Sequence, residues 1–157
     1  AETPVGELYC LTASREVFRL DGGFRFCNGV VVSADDRQLI VAETRTKSLW
    51  IYDIEAPGVA THKRLWAKVP GEHVGGPDGM DFDEVGNLLV TNHGGGAIEV
   101  FGPDGRWLES IETPFDKPSN VHFGGDDDRW VYVTEHTNDA LWKFHWRHKG
   151  QAQYCVR

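Results

Sequence analysis

The stretch GGPDGMDFDEVGNLLVTNHGGG (residues 75–96) holds one unit of a pattern that recurs along the chain. Two apolar runs, Met80–Asp83 and Leu88–Thr91, flank the turn DEVGN, and glycines bound the whole. Short alternating runs between Gly, Asp and Asn are the signature of strands. Outward from this unit, NGVVVSADDRQLIVAETRTKSLWIYDI (from Asn28) and NVHFGGDDDRWVYVTEHTNDALWKF (from Asn120) align with DGMDFDEVGNLLVTNHGGGAIEVF (from Asp78). The starts lie about 40–50 residues apart, a spacing that suits propeller blades.

Each unit contains the same four pieces. A short first strand follows Asn or Asp: Val30–Ser33, Met80–Asp83 and Val121–Phe123. A strongly apolar second strand comes next: Leu39–Ala42, Leu88–Thr91 and Trp130–Thr134. The third alternates large apolar with polar residues (SLWIYDI, AIEVF, ALWKFHW), and a more polar fourth closes the unit (KRLWAKV, WLESIET, QAQYCV). Ahead of them, GELYCL and EVFRLD read as the last two strands of a preceding blade. The expectation is an all-β chain, one partial propeller domain over residues 1–157, with about three and a half four-stranded antiparallel blades. Too few blades to close a ring imply pairing with a second copy or with a further N-terminal segment.

Composition narrows the partners. A formal net charge of −8 argues against nucleic acid or an anionic membrane, both of which demand a basic face. No apolar run reaches the length of a membrane span. Cys10, Cys27 and Cys155 have no CxxC spacing, which favours reduced thiols and a cytoplasmic setting over a zinc knuckle or disulfide framework. The run Asp126–Asp128 lacks the ligand spacing of a calcium loop and reads as a solvated turn.

In an antiparallel blade the start of the first strand and the end of the second share one face. That rule gathers Asn28, Asp78 and Asn120 with Glu43-Thr44, Asn92-His93 and Glu135-His136 at one channel mouth. Such an oxygen-rich set suits Ca²⁺ or Mg²⁺, and the histidines extend the choice to Zn²⁺ or Mn²⁺. The bland reading competes: Pro77-Asp78-Gly79 and Asn28-Gly29 are ordinary turn sequences. His93, followed by three glycines, fits a loop histidine as well as a ligand.

The segments FRFCNGVVVSADDRQLIVAETRTKSLWIYDI, GGPDGMDFDEVGNLLVTNHGGGAIEVFGPDG and KPSNVHFGGDDDRWVYVTEH resemble successive blades of the SMP-30/gluconolactonase/LRE family, from Gly6 to about Phe144. The resemblance implies the C-terminal part of a six-bladed propeller that binds one divalent cation and hydrolyses sugar lactones or related esters. It carries over Asn28 as a metal ligand, with Cys27 where the family has proline, and Asp78 as both metal ligand and catalytic acid/base. The family's first ligand, a Glu near the N-terminus, has no counterpart here. His93 is the candidate for assisting proton transfer, and Asn92, Asn120 and Glu135 are candidates for holding substrate. The leading expectation is thus a metal-dependent lactonase acting on a small-molecule lactone or ester. A related hydrolase of organophosphates or aryl esters is one alternative; a non-catalytic partial propeller that binds a ligand or partner is another.

Overall fold

A computed structural model describes residues 3–152. It is a partial β-propeller built from antiparallel sheets stacked side by side. A two-stranded sheet comes first, from β1 (Gly6–Leu11) and β2 (Val17–Phe24). One four-stranded blade follows, from β3 (Cys27–Val32), β4 (Gln38–Glu43), β5 (Ser48–Ala56) and β6 (Val59–Lys68). The next four-stranded blade is β7 (Gly76–Phe82), β8 (Leu88–His93), β9 (Ala97–Phe101) and β10 (Trp107–Glu112). The last sheet has three described strands, β11 (Pro118–Gly124), β12 (Trp130–Glu135) and β13 (Ala140–His145). The fourth strand expected from QAQYCV lies mostly outside the described residues. Gln151, at its start, is bonded elsewhere: its N–H donates to the Phe82 carbonyl and its amide to that of Val32.

Why the second strands are apolar at consecutive positions follows from the stacking. Leu39 and Val41 face the two-stranded sheet, where they pack with Leu8, Phe24 and Tyr52. Their neighbours Ile40 and Ala42 face the other way, toward Met80, Phe82, Leu88 and Val90. Leu89 then joins Ile98, Val100, Val121, Val131 and Val133 in the layer between the last two sheets. A sheet buried on both faces needs apolar side chains on both, so strict alternation disappears. Among the described residues the two end faces have no such neighbour: Leu11, Val17 and Leu141 are each more than 60% exposed, at 69%, 66% and 66%.

The three first strands, β3, β7 and β11, lie next to one another along the inner edge. Each is irregular where the candidate site residue stands. Asn28-Gly29 falls in a register shift between Cys27 and Val30, and Asp78-Gly79 in one between Pro77 and Met80. In β11 the shift lies between Pro118 and Asn120. The expected turns are therefore bulges inside strands, a feature that re-aims a side chain without ending the strand. The glycines do not serve the positive φ that a turn would ask of them. Neither Gly29 nor Gly79 has positive φ. A Cβ on Gly29 would fall 2.1 Å from the Asp78 carbonyl oxygen, and one on Gly79 1.9 Å from Asn120 Oδ1. They permit neighbouring first strands to approach.

Candidate active site

The bulges carry Asn28 and Asp78 to one open cleft of about 620 Å³, lined also by Thr44, His93, Lys117 and His136, with Val74 and Gly75 on one wall. The Asn28 carboxamide hydrogen-bonds Asp78 and donates 3.2 Å to Thr44 Oγ1. Thr44 in turn donates 2.8 Å to the Pro77 carbonyl, tying the turn after the second strand of one blade to the first strand of the next. Burial raises the Asp78 carboxyl above its ordinary value, while the nearby imidazoles of His93 and His136 and the Asn28 hydrogen bond pull it down. The two imidazoles meet edge to face, His93 Nε2 standing 3.3 Å from His136 Nδ1. Burial lowers the pKa of His93; Asp78 opposes that shift, and His136 and Lys117 reinforce it.

Of each pair at the end of a second strand, the second residue lines the cleft: Thr44, His93 and His136. The first turns away and is buried: Glu43, Asn92 and Glu135 are 6%, 2% and 3% exposed. Glu43 accepts from the Arg25 N–H, Thr46 Oγ1 and Trp50 Nε1. Asn92 donates to Glu99 and to the Pro70 carbonyl, and its Oδ1 lies 2.8 Å from His73 Nε2. Glu135 accepts the backbone N–H groups of Thr137 and Asn138. These contacts fix the loops behind the mouth, including the segment Pro70–Gly75 that supplies its wall.

Asn120 stands apart from the cleft lining as well. Its Oδ1 accepts from the Val121 N–H. The register explains the difference. Pro118 pairs with Glu135 as Pro77 does with Asn92 and Cys27 with Glu43. Ser119 is thus the counterpart of Asn28 and Asp78, and Asn120 takes the position of the two glycines. Ser119 is buried, its hydroxyl 2.9 Å from Thr134 Oγ1. His136, which the sequence placed at the mouth without a role, joins the site instead. Comparing both residues of each pair across the three repeats is the signal that marks it.

The donor set fits a hard cation. Asn28 and Asp78 offer neutral and anionic oxygens at one place, and the half-buried carboxylate makes no ion pair with Lys or Arg among the described residues. Among those residues no group of three His, Cys, Asp or Glu side chains forms a metal site.

Residues 1–137 match the family model described as the SMP-30/gluconolactonase/LRE-like region. The chain belongs to that family. It is similar to the diisopropyl-fluorophosphatase of Loligo vulgaris, 50% identical over 155 residues, which cover 96% of this chain and 49% of the relative. It is 29% identical to the 6-deoxy-6-sulfogluconolactonase of Pseudomonas putida over 82% of this chain and 44% of that protein. Among solved structures, a luciferin-regenerating enzyme superposes with a TM-score of 0.84 at 23% identity, covering 98% of this chain and 55% of that one. This family member therefore spans about half the length of the curated relatives it matches. No helix among its described residues is long and apolar enough to cross a membrane.

Proposed function

We propose that the chain supplies the Asp78 side of a divalent-cation-dependent hydrolase that cuts phosphoryl or acyl electrophiles with good leaving groups. The observation that carries this reading is Asp78 itself: a carboxylate held against its burial cost at the floor of an open cleft, bonded by Asn28 and facing two imidazoles. Asn28 and Asp78 would hold the cation, which when bound acts as a Lewis acid on the substrate's P=O or C=O oxygen. Asp78 orients the attacking water and takes its proton. His93, kept neutral by burial, passes that proton on to His136, which stands at the exposed side of the cleft. The rest of the ring, and with it further ligands, comes from more chain or from a second copy, in keeping with the apolar end faces.

The 50% identity to a diisopropyl-fluorophosphatase favours a phosphoryl centre, and the weaker likeness to a sulfogluconolactonase supports sugar lactones as the second class. Fluoride release from diisopropyl fluorophosphate and ring opening of glucono-δ-lactone, each measured after chelation and after adding back Ca²⁺, Mg²⁺, Mn²⁺ or Zn²⁺, test the reading. Hydrolysis should need a cation and be lost in Asp78→Asn. Turnover that survives both treatments would sink it.

A further inference from the structure

Among the described residues, the imidazoles of His93 and His136 have no hydrogen-bond partner but each other. Their backbones are fixed on different blades. His93 ends β8 and pairs with Gly76, while the His136 N–H donates 3.1 Å to the Lys117 carbonyl. The rings meet through His93 Nε2 and His136 Nδ1, which stand 3.3 Å apart, long for a hydrogen bond. The ring centroids are 5.3 Å apart. One Zn²⁺ holds two imidazole nitrogens at about 2.1 Å each, which at a tetrahedral angle sets the nitrogens about 3.4 Å apart and the centroids about 5.3 Å apart. The pair therefore already has the spacing of two ligands on one tetrahedral ion. Asp78 places a negative charge beside both rings, and Lys117 a positive one beside His93. His93 is half-buried and His136 exposed, so an ion reaches the pair from solvent.

We propose that His93 Nε2 and His136 Nδ1 form a second metal site, separate from the oxygen donors Asn28 and Asp78, which captures a borderline divalent ion such as Zn²⁺. Imidazole nitrogens suit Zn²⁺, whereas carboxamide and carboxylate oxygens suit Ca²⁺ or Mg²⁺, so the cleft sorts the two classes of ion onto different donors. The proton that the two nitrogens share shifts to the far nitrogen of its own ring. No third His, Cys, Asp or Glu among the described residues completes the set. Water fills the remaining positions, and the ion exchanges with solvent, unlike the four-ligand zinc of a structural site. Its effect is regulatory. The ion occupies both nitrogens through which the proton leaves Asp78 and so closes that relay, a consequence that alone rests on the proposed function.

Calorimetric titration of the metal-free protein with Zn²⁺, and with Ca²⁺ as the hard-ion comparison, tests this. The tightest Zn²⁺ equivalent should weaken about tenfold or more in His93→Ala and in His136→Ala, and stay within about twofold in Asn28→Ala and in the surface control His62→Ala. Ca²⁺ affinity should show the reverse pattern, falling in Asn28→Ala and persisting in the histidine variants. In the wild-type protein the ring-proton resonances of His93 and His136 should be the first to shift as Zn²⁺ is added, a readout that needs no variant to fold. Zinc that binds equally well in both histidine variants, or that is lost in Asn28→Ala instead, would overturn the inference. Hydrolysis at saturating Ca²⁺ should fall about tenfold or more as Zn²⁺ fills the pair; hydrolysis unchanged with the pair filled would refute the regulatory role. Histidine-dependent zinc binding without any cation-dependent hydrolysis would overturn the proposed function and leave the second metal site standing.

Discussion

At the end of each second strand two adjacent residues meet opposite fates. Glu43, Asn92 and Glu135 are buried and bonded to loops, whereas Thr44, His93 and His136 line the cleft. The contrast extends to two carboxylates, Glu43 and Asp78. Glu43 is buried too, but the Arg25 N–H, Thr46 and Trp50 outweigh that burial, and its pKa is lowered. Asp78 has no such set of donors and its pKa is raised by burial. One acid holds the structure together, and the other is buried at a cost to it. Residue type alone does not separate these uses; the number of fixed donors aimed at each carboxylate does.

The sharpest way to test the contrast is Asp78→Asn. Cation-dependent hydrolysis should fall by about a thousandfold or more, as expected when a ligand and base is lost. The metal-free variant should nonetheless melt a few degrees higher than the wild type above the carboxylate range. The folded-state pKa of Asp78 lies above its unfolded value, so the unfolded chain ionises first as pH rises. The wild type therefore loses stability across that interval, and the two proteins converge below it. A variant that melts lower at neutral pH would contradict the assigned strain.

Gly29→Ala attacks the close approach that brings the two bulges together. With a Cβ set 2.1 Å from the Asp78 carbonyl oxygen, the strands must separate, at a cost of roughly 2–3 kcal/mol. Chemical denaturation measures that cost, and a weaker cation-induced thermal shift would report the displaced Asp78. Unchanged stability would show that β3 and β7 tolerate more separation than their packing implies.

His93→Ala should lower kcat/KM by about 10- to 100-fold while the fold persists. Since burial holds His93 below its ordinary value, wild-type activity should persist as pH falls past 6.5 and decline only further down. Alanine should remove that limb of the pH–rate profile. A limb that survives unchanged in the variant would assign it to another group.

The smallest effect belongs to Glu43→Gln, about 1–2 kcal/mol of stability, from weakened hydrogen bonds to three donors. Here the sign is reversed from Asp78. A depressed folded-state pKa contributes stability above the unfolded value, so the deficit of the variant should be full near neutrality and fade as pH falls through the folded pKa. Hydrolysis per folded molecule should fall far less than in Asp78→Asn. A loss comparable to that variant's would place Glu43 at the chemistry.

The blades were legible before any coordinates because their signals are local. Runs such as LLVTN and SLWIYDI read as strands from their neighbours alone, and three copies of the pattern fixed the architecture. The site was only half legible. The sequence singles out Asn28, Asp78 and His93, which line one cleft, but the turn it suggests at Pro77-Asp78-Gly79 is a bulge within β7. A turn and a bulge use the same residue types. The choice between them depends on whether a neighbouring strand pairs on both sides of the irregularity. The same ambiguity moved the third repeat by one residue, hiding Ser119 behind Asn120, and left Glu135 favoured over His136. A one-residue shift along a strand swaps the face to which every side chain points.

The sequence by itself thus determined the strands and their grouping into blades, and it singled out Asn28 and Asp78, since these rest on periodicity and residue chemistry. Only the tertiary structure decided which member of each pair faces the cleft, that Gly29 and Gly79 serve close packing, and that His136 and Lys117 line the cleft with Asp78. Those outcomes depend on how separate blades stack, and contacts between blades leave no periodic trace in the chain.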